Sequence, residues 1–173
     1  MKKQLSPITQ GILSNGFILA LVFIVINLTQ YMLDIYKTPS WLTFLFLVLI
    51  IIGLSLFTKD FRNQKLDGYI SYGKAFKYSI KVSMVASITY GFYFFLLIFV
   101  IEPNYCETIY KMASETYYEM GMNDTEVEYA LNMLKKIQSP PFLVFSSIVG
   151  FMIMGTVSSL ISALIVKRNE PLI

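Results

Sequence analysis

The stretch WLTFLFLVLIIIGLSLF, Trp41 to Phe57, runs without a charged residue, and Leu47–Ile52 at its centre has no polar side-chain atom. A helix needs roughly 20 mostly apolar residues to cross a ~30 Å hydrocarbon core. This run is slightly short, which predicts a span with little tilt. Working outward, three further segments meet the same test: about 12–33, with the unbroken run Phe17–Ile26 at its heart; Val82–Ile101; and Phe142–Val166, the longest. None contains Asp, Glu, Lys or Arg. Lys2 and Lys3 before the first span resemble the start of a signal peptide, but TQYMLDIY (29–36) offers no small-residue cleavage site. An uncleaved anchor is expected. The expected fold is therefore all-α: a polytopic membrane protein with four transmembrane helices forming one domain, 1–173.

Composition points the same way. Of 173 residues, 55% are hydrophobic, 16% aromatic and only 14% charged, and the mean hydropathy is +0.61. A soluble domain carries about a quarter charged residues to hold water at its surface. This balance excludes an ordinary cytosolic enzyme, a disordered chain and a secreted disulfide scaffold. Histidine is absent and Cys106 is the one cysteine. No intramolecular disulfide can form, and imidazole or thiolate clusters for zinc, haem or an iron–sulfur centre are excluded, so no cofactor or metal is expected. A net charge of +3 is too small to suggest a nucleic-acid partner.

Orientation follows from the Lys and Arg count in the loops. The N-terminal tail (Lys2, Lys3), the segment 58–81 (Lys59, Arg62, Lys65, Lys74, Lys77, Lys81) and the C-terminal tail (Lys167, Arg168) hold ten on one side. Lys37, Lys111, Lys135 and Lys136 make four on the other, where Asp34, Glu102, Glu107, Glu115, Glu119, Asp124, Glu126 and Glu128 also lie. Both termini are expected in the cytoplasm of a bacterial cell, with the chain in its inner membrane.

In the inner segment, Asp67-Gly68 is a favoured two-residue turn and predicts a short hairpin between FRNQKL and YISY. Ser71 is a good N-cap, after which Lys74, Lys77 and Lys81 fall on one helical face. These three with Lys59, Arg62 and Lys65 are the candidate contacts with the membrane surface and anionic lipid. The outer segment 102–141 is too long for a plain loop. Tyr105, Ile109, Met112, Ala113, Tyr117 and Met120 form one helical stripe, and Val127, Ala130, Leu131, Leu134 and Ile137 another. Gly121 divides them as a helix stop, Asn123-Asp124-Thr125 restarts the helix, and Thr125 with Glu128 matches a capping box. An extracytoplasmic amphipathic helical hairpin is expected, packing on its own chain or docking a protein partner or second copy. Cys106 at its start is a small residue or a candidate for an intermolecular disulfide. Ser139-Pro140-Pro141 opens span four, where a proline's missing N–H is harmless.

Inside the membrane the polar residues are Ser14, Asn15, Asn27, Thr29 and Gln30 in span one and Ser83, Ser87, Thr89, Tyr90 and Tyr93 in span three. They are read as hydrogen bonds between helices, or as a polar pocket for a small neutral or lipidic ligand. Ala75, Ser79, Ser83, Ser87 and Gly91 recur every fourth residue, and Gly155, Ser159 and Ala163 share that spacing. Such faces let helix backbones approach closely, so the two are expected to pack together. The sequence holds neither a Ser-His-Asp set nor an intramembrane carboxylate pair nor a phosphate-cradling glycine loop after a strand, and no catalytic residue is assigned.

One inner stretch carries more than local information. FRNQKLDGYISYGKAFKYS (Phe61–Ser79) places an Arg after span two, then Gly68 and the run Ile70–Phe76 before span three. With the short loop, basic inner loop, long helical outer loop and final Lys/Arg, it resembles the bacterial four-span family known as domain of unknown function 4199. The resemblance covers nearly the whole chain. It implies a small integral inner-membrane protein and transfers no catalytic residue. A non-enzymatic accessory, scaffold or structural component acting through lipid or protein contacts is the expected function; the alternative is a small transporter or channel subunit for a neutral or lipidic solute.

Overall fold

A computed structural model describes residues 6–33, 35 and 40–170. Lys2, Lys3, Asp34 and Lys37, which enter the orientation argument, lie outside the described residues. Among the described residues six helices follow in order: α1 (Pro7–Met32), α2 (Ser40–Lys65), α3 (Tyr72–Leu96), α4 (Tyr105–Glu119), α5 (Asp124–Ile137) and α6 (Pro140–Val166). A π-helical turn, Leu97–Ile101, extends α3. Four helical stretches among the described residues are long and apolar enough to cross a membrane: Pro7–Met32, Trp41–Lys65, Tyr72–Ile101 and Pro140–Val166. α2 runs past its apolar stretch to Lys65 because the flanking Lys, Arg and Gln residues are themselves good helix formers.

The chain divides into two compact units, one of residues 1–90 with 148–173 and one of residues 91–147. In the first, a single core cluster draws on four helices: Leu19, Ala20 and Phe23 of α1, Ile50 and Leu54 of α2, Tyr78, Val82 and Ala86 of α3, and Phe151 of α6. The Phe23 ring meets Phe46 and Phe151 edge-on, with centroids 5.9 and 5.3 Å apart. The outward faces are as apolar as the core; Ile88 is 65% exposed and Ile165 63%. A water-soluble protein does not leave continuous apolar surface of this kind on four helices. Lipid is the solvent that these faces fit.

The turn at Asp67-Gly68 departs from the expected hairpin. α2 runs on to Lys65, and Asp67 (φ 50°) and Gly68 (φ 85°) form its left-handed terminus. The Gly68 N–H donates to the Arg62 carbonyl at 3.2 Å, an acceptor it shares with the Leu66 N–H at 3.1 Å, so the turn closes back onto the helix end. FRNQKL lacks β-branched residues, so nothing opposed continuation of the helix. Ile70 instead forms a two-bond antiparallel bridge with Arg168, each N–H donating to the other's carbonyl at 2.9 Å. α3 then begins at Tyr72, directly after Ser71.

The second unit holds the helical hairpin. α4 ends at Glu119, Gly121 takes φ 85°, and the N–H groups of Gly121 and Met122 donate back to the carbonyls of Tyr118 (2.9 Å) and Tyr117 (3.2 Å). That paired closure is a Schellman motif, and only a residue at ease with positive φ suits its centre. The capping box of α5 lies two residues before the expected Thr125–Glu128 pair. The Asn123 side chain accepts from the Glu126 N–H at 3.0 Å, and the Glu126 carboxylate accepts from the Asn123 N–H at 2.9 Å. Asn123 competes better for the cap because Asn ranks above Thr as an N-cap and stands where the chain leaves the glycine turn. Both stripes are covered except at their last members, Met120 and Ile137, which stay exposed.

Candidate functional site

Three features have the makings of a site: a seam of small residues, a basic rim and an intramembrane cavity. All three lie in the first unit.

At the seam, Ala75, Ser79, Ser83 and Ser87 of α3 and Gly155, Ser159 and Ala163 of α6 are all buried. A Cβ built on Gly155 would fall on the Ser83 hydroxyl. Ala75 and Ala163 belong to one cluster with Ile70 and Val166. The contact of Ser83 with Gly155 and the shared cluster of Ala75 and Ala163 bring the two stripes together at two levels. The Ser79 hydroxyl also shares a 2.7 Å hydrogen bond with Thr58 of α2, both side chains fully buried. Gly91, the fifth member of the α3 stripe, is buried and belongs to the second unit. The hydroxyls of Ser83, Ser158, Ser159 and Ser162 have no hydrogen-bond partner. They act here as small side chains that permit close approach.

At the basic rim, the six cations of 58–81 and Arg168 fall into different surroundings. Arg62 is half-buried; its Nη1 donates to the Val166 carbonyl at 2.9 Å and its Nε to Asn63 Oδ1 at 3.0 Å. It thus closes the C-terminal end of α6, where carbonyls lack helical partners. Arg168 lies over the Tyr69 ring at 5.5 Å. Lys59, Lys65, Lys74, Lys77 and Lys81 are exposed. Lys74, Lys77 and Lys81 border a groove of about 280 Å³ floored by Phe61 and Tyr78, whose rings stack in parallel at 4.1 Å. Asn15 Nδ2 donates to the Tyr78 hydroxyl at 2.9 Å.

The cavity, about 240 Å³, is lined by Phe23, Phe46, Phe151, Asn27, Gln30 and Tyr90, among others. Asn27 and Tyr90 are already engaged. The Gln30 Nε2 has no partner, yet neighbouring atoms seal it from any water-sized probe. The cavity is thus mainly an aromatic space with few free polar groups.

The family described as "Protein of unknown function (DUF4199)" matches residues 14–168, nearly the whole chain. The chain belongs to that family. No curated protein and no solved structure matches it. In this DUF4199 chain the stretch 61–79 is where α2, the left-handed turn and the start of α3 build the basic rim. Arg62 therefore has a structural use that a count of positive charges does not reveal.

Thr58 and Val166 escaped the sequence reading of this DUF4199 protein. Thr58 directly follows the apolar run, and a single hydroxyl there carries no pattern; Val166 takes part through its backbone, which no side-chain reading reports. In the hairpin, Cys106 is buried, and burial raises its thiol pKa. The protonated thiol is favoured at neutral pH, which makes it a poor nucleophile. Tyr110, whose hydroxyl donates to the Gln138 carbonyl at 2.7 Å, is raised by burial and then by Cys106. Tyr118 donates to Asp124 Oδ1 at 3.2 Å, and that hydrogen bond is the main cause of its raised pKa. All three groups keep their protons through the physiological range.

Proposed function

We propose that this DUF4199 protein is a non-enzymatic accessory or structural component of the inner membrane that works by contact with lipid and protein. The observation that carries the reading is how its polar groups are used. Thr58 and Ser79 join α2 to α3, Asn15 joins α1 to Tyr78 of α3, and Arg62 joins α2 to the end of α6. These four polar groups and Arg62 are spent on holding helices together. The hairpin offers a surface for a protein partner or a second copy: Tyr129, Met133 and Ile137 form an exposed row along α5, with Tyr129 70% exposed.

The orientation that goes with this reading puts both termini in the cytoplasm and the α4–α5 hairpin outside, from the ten-to-four distribution of Lys and Arg. A reporter active only outside the cytoplasm is expected to be silent when fused after Ile173 and active when inserted at Gly121. The reverse pattern overturns the orientation.

The second reading, passage of a small neutral or lipidic solute, is favoured by the aromatic cavity. Liposomes containing the purified protein separate the two. Contact function predicts that uncharged solutes such as glycerol, and a fluorescent lipid, cross no faster than in protein-free liposomes. Protein-dependent flux, blocked by filling the cavity with Ile50→Trp at a residue that lines it, would replace the contact reading with transport.

A further inference from the structure

The groove on the basic rim combines two chemistries that rarely adjoin by accident. Lys74, Lys77 and Lys81 lie on one face of α3, and among the described residues no carboxylate pairs with any of them. Asp60, beside Phe61 on α2, accepts from Gln64 Nε2 at 2.7 Å and forms no ion pair with these lysines, so the three positive charges outweigh its one negative charge. Like charges at helical spacing repel one another, and an anion relieves that repulsion. Beneath the ammonium groups the walls are apolar, built from Ile8, Ile12 and the stacked Phe61–Tyr78 pair. Inorganic phosphate would use the cations and leave those walls empty. A zwitterionic lipid would use the walls and gain little from the cations.

We infer that this groove holds one anionic phospholipid, its phosphate on Lys74, Lys77 and Lys81 and one acyl chain along Ile8, Ile12 and Phe61. The inference rests on the lipid-contact half of the function proposed above and names the lipid class. Position supports it: the lysines sit where α3 passes from basic to apolar sequence, the level at which long cationic side chains reach headgroups. Lys59, Lys65 and Lys167 carry the same charge elsewhere on the rim and line no part of this groove. They supply general attraction to an anionic surface. The groove supplies a seat.

The full chain in nanodiscs of equal phosphatidylglycerol and phosphatidylcholine tests this, with tightly retained lipid counted by native mass spectrometry after release into mild detergent. The expected result is one phosphatidylglycerol per chain, preferred over phosphatidylcholine by roughly tenfold or more, given the attraction each lysine adds near a membrane surface. Lys74→Gln/Lys77→Gln/Lys81→Gln should reduce that preference to near parity, while Lys59→Gln/Lys65→Gln/Lys167→Gln should keep it. Ile12→Trp, which removes no charge and fills the groove, should lose the retained lipid with the lysines intact, so the outcome does not depend on the triple variant folding. Added inorganic phosphate should not displace the lipid. Equal loss in both lysine triples, or no preference in the unaltered protein, overturns the site. Solute flux in liposomes would overturn the contact reading and leave lipid retention standing, so the two failures are distinguishable.

Discussion

Gly155→Leu is expected to lower the protein's stability by about 1–3 kcal/mol, the usual range for forcing extra methylenes into a packed interior. Even the first added carbon has nowhere to go: at Gly155 it meets the Ser83 hydroxyl and comes within 2.9 Å of the Ser83 Cβ. Helix propensity works in the opposite direction, favouring Leu over Gly by up to about 1 kcal/mol. Gly150→Leu on the same helix isolates that term, because a Cβ there meets nothing within 4 Å. The control should therefore be neutral or slightly stabilising. Thermal melts in one detergent would compare the two. A compensating pair sharpens the test: Gly155→Ala destabilises alone and is rescued by Ser83→Gly, which removes the obstructing side chain. If Gly155→Leu melts like Gly150→Leu, α3 and α6 do not meet at this point.

Arg62→Ala is expected to cost about 1.5 kcal/mol, the lower end of the range for hydrogen bonds to charged groups, since the side chain is only half-buried. The loss is local. The Val166 carbonyl loses its donor, and the neighbouring Ile70–Arg168 bridge loses the tie that fixes one of its strands. Hydrogen exchange should quicken at Ile70 and Arg168 and stay unchanged in α4 and α5. Arg62→Lys should recover part of the effect, because the one ammonium nitrogen can reach the carbonyl but has no second nitrogen placed to meet Asn63. Unchanged exchange at Ile70 in the alanine variant would mean that Arg62 does not hold the C-terminal end of α6.

The four long helices, the hairpin divided at Gly121 and the family itself were legible in the sequence, because each rests on local physics. Apolar length decides whether a segment suits lipid. A glycine at positive φ ends a helix wherever it stands, and the stretch 61–79 carries its pattern in order along the chain. Choices between nearby local options were harder: Asn123 displaced Thr125 as the cap, and α2 continued through a segment read as one arm of a hairpin. Only the tertiary structure decided which side chains share a contact. It set Ser83 of α3 against Gly155 of α6, gave Ser79 to Thr58, gave Arg62 a carbonyl at the end of α6, and placed three lysines beside an apolar groove. Residues 62 and 166 are joined by a fold in which neither announces the other, because periodicity reports which face a residue occupies and packing alone selects what that face meets.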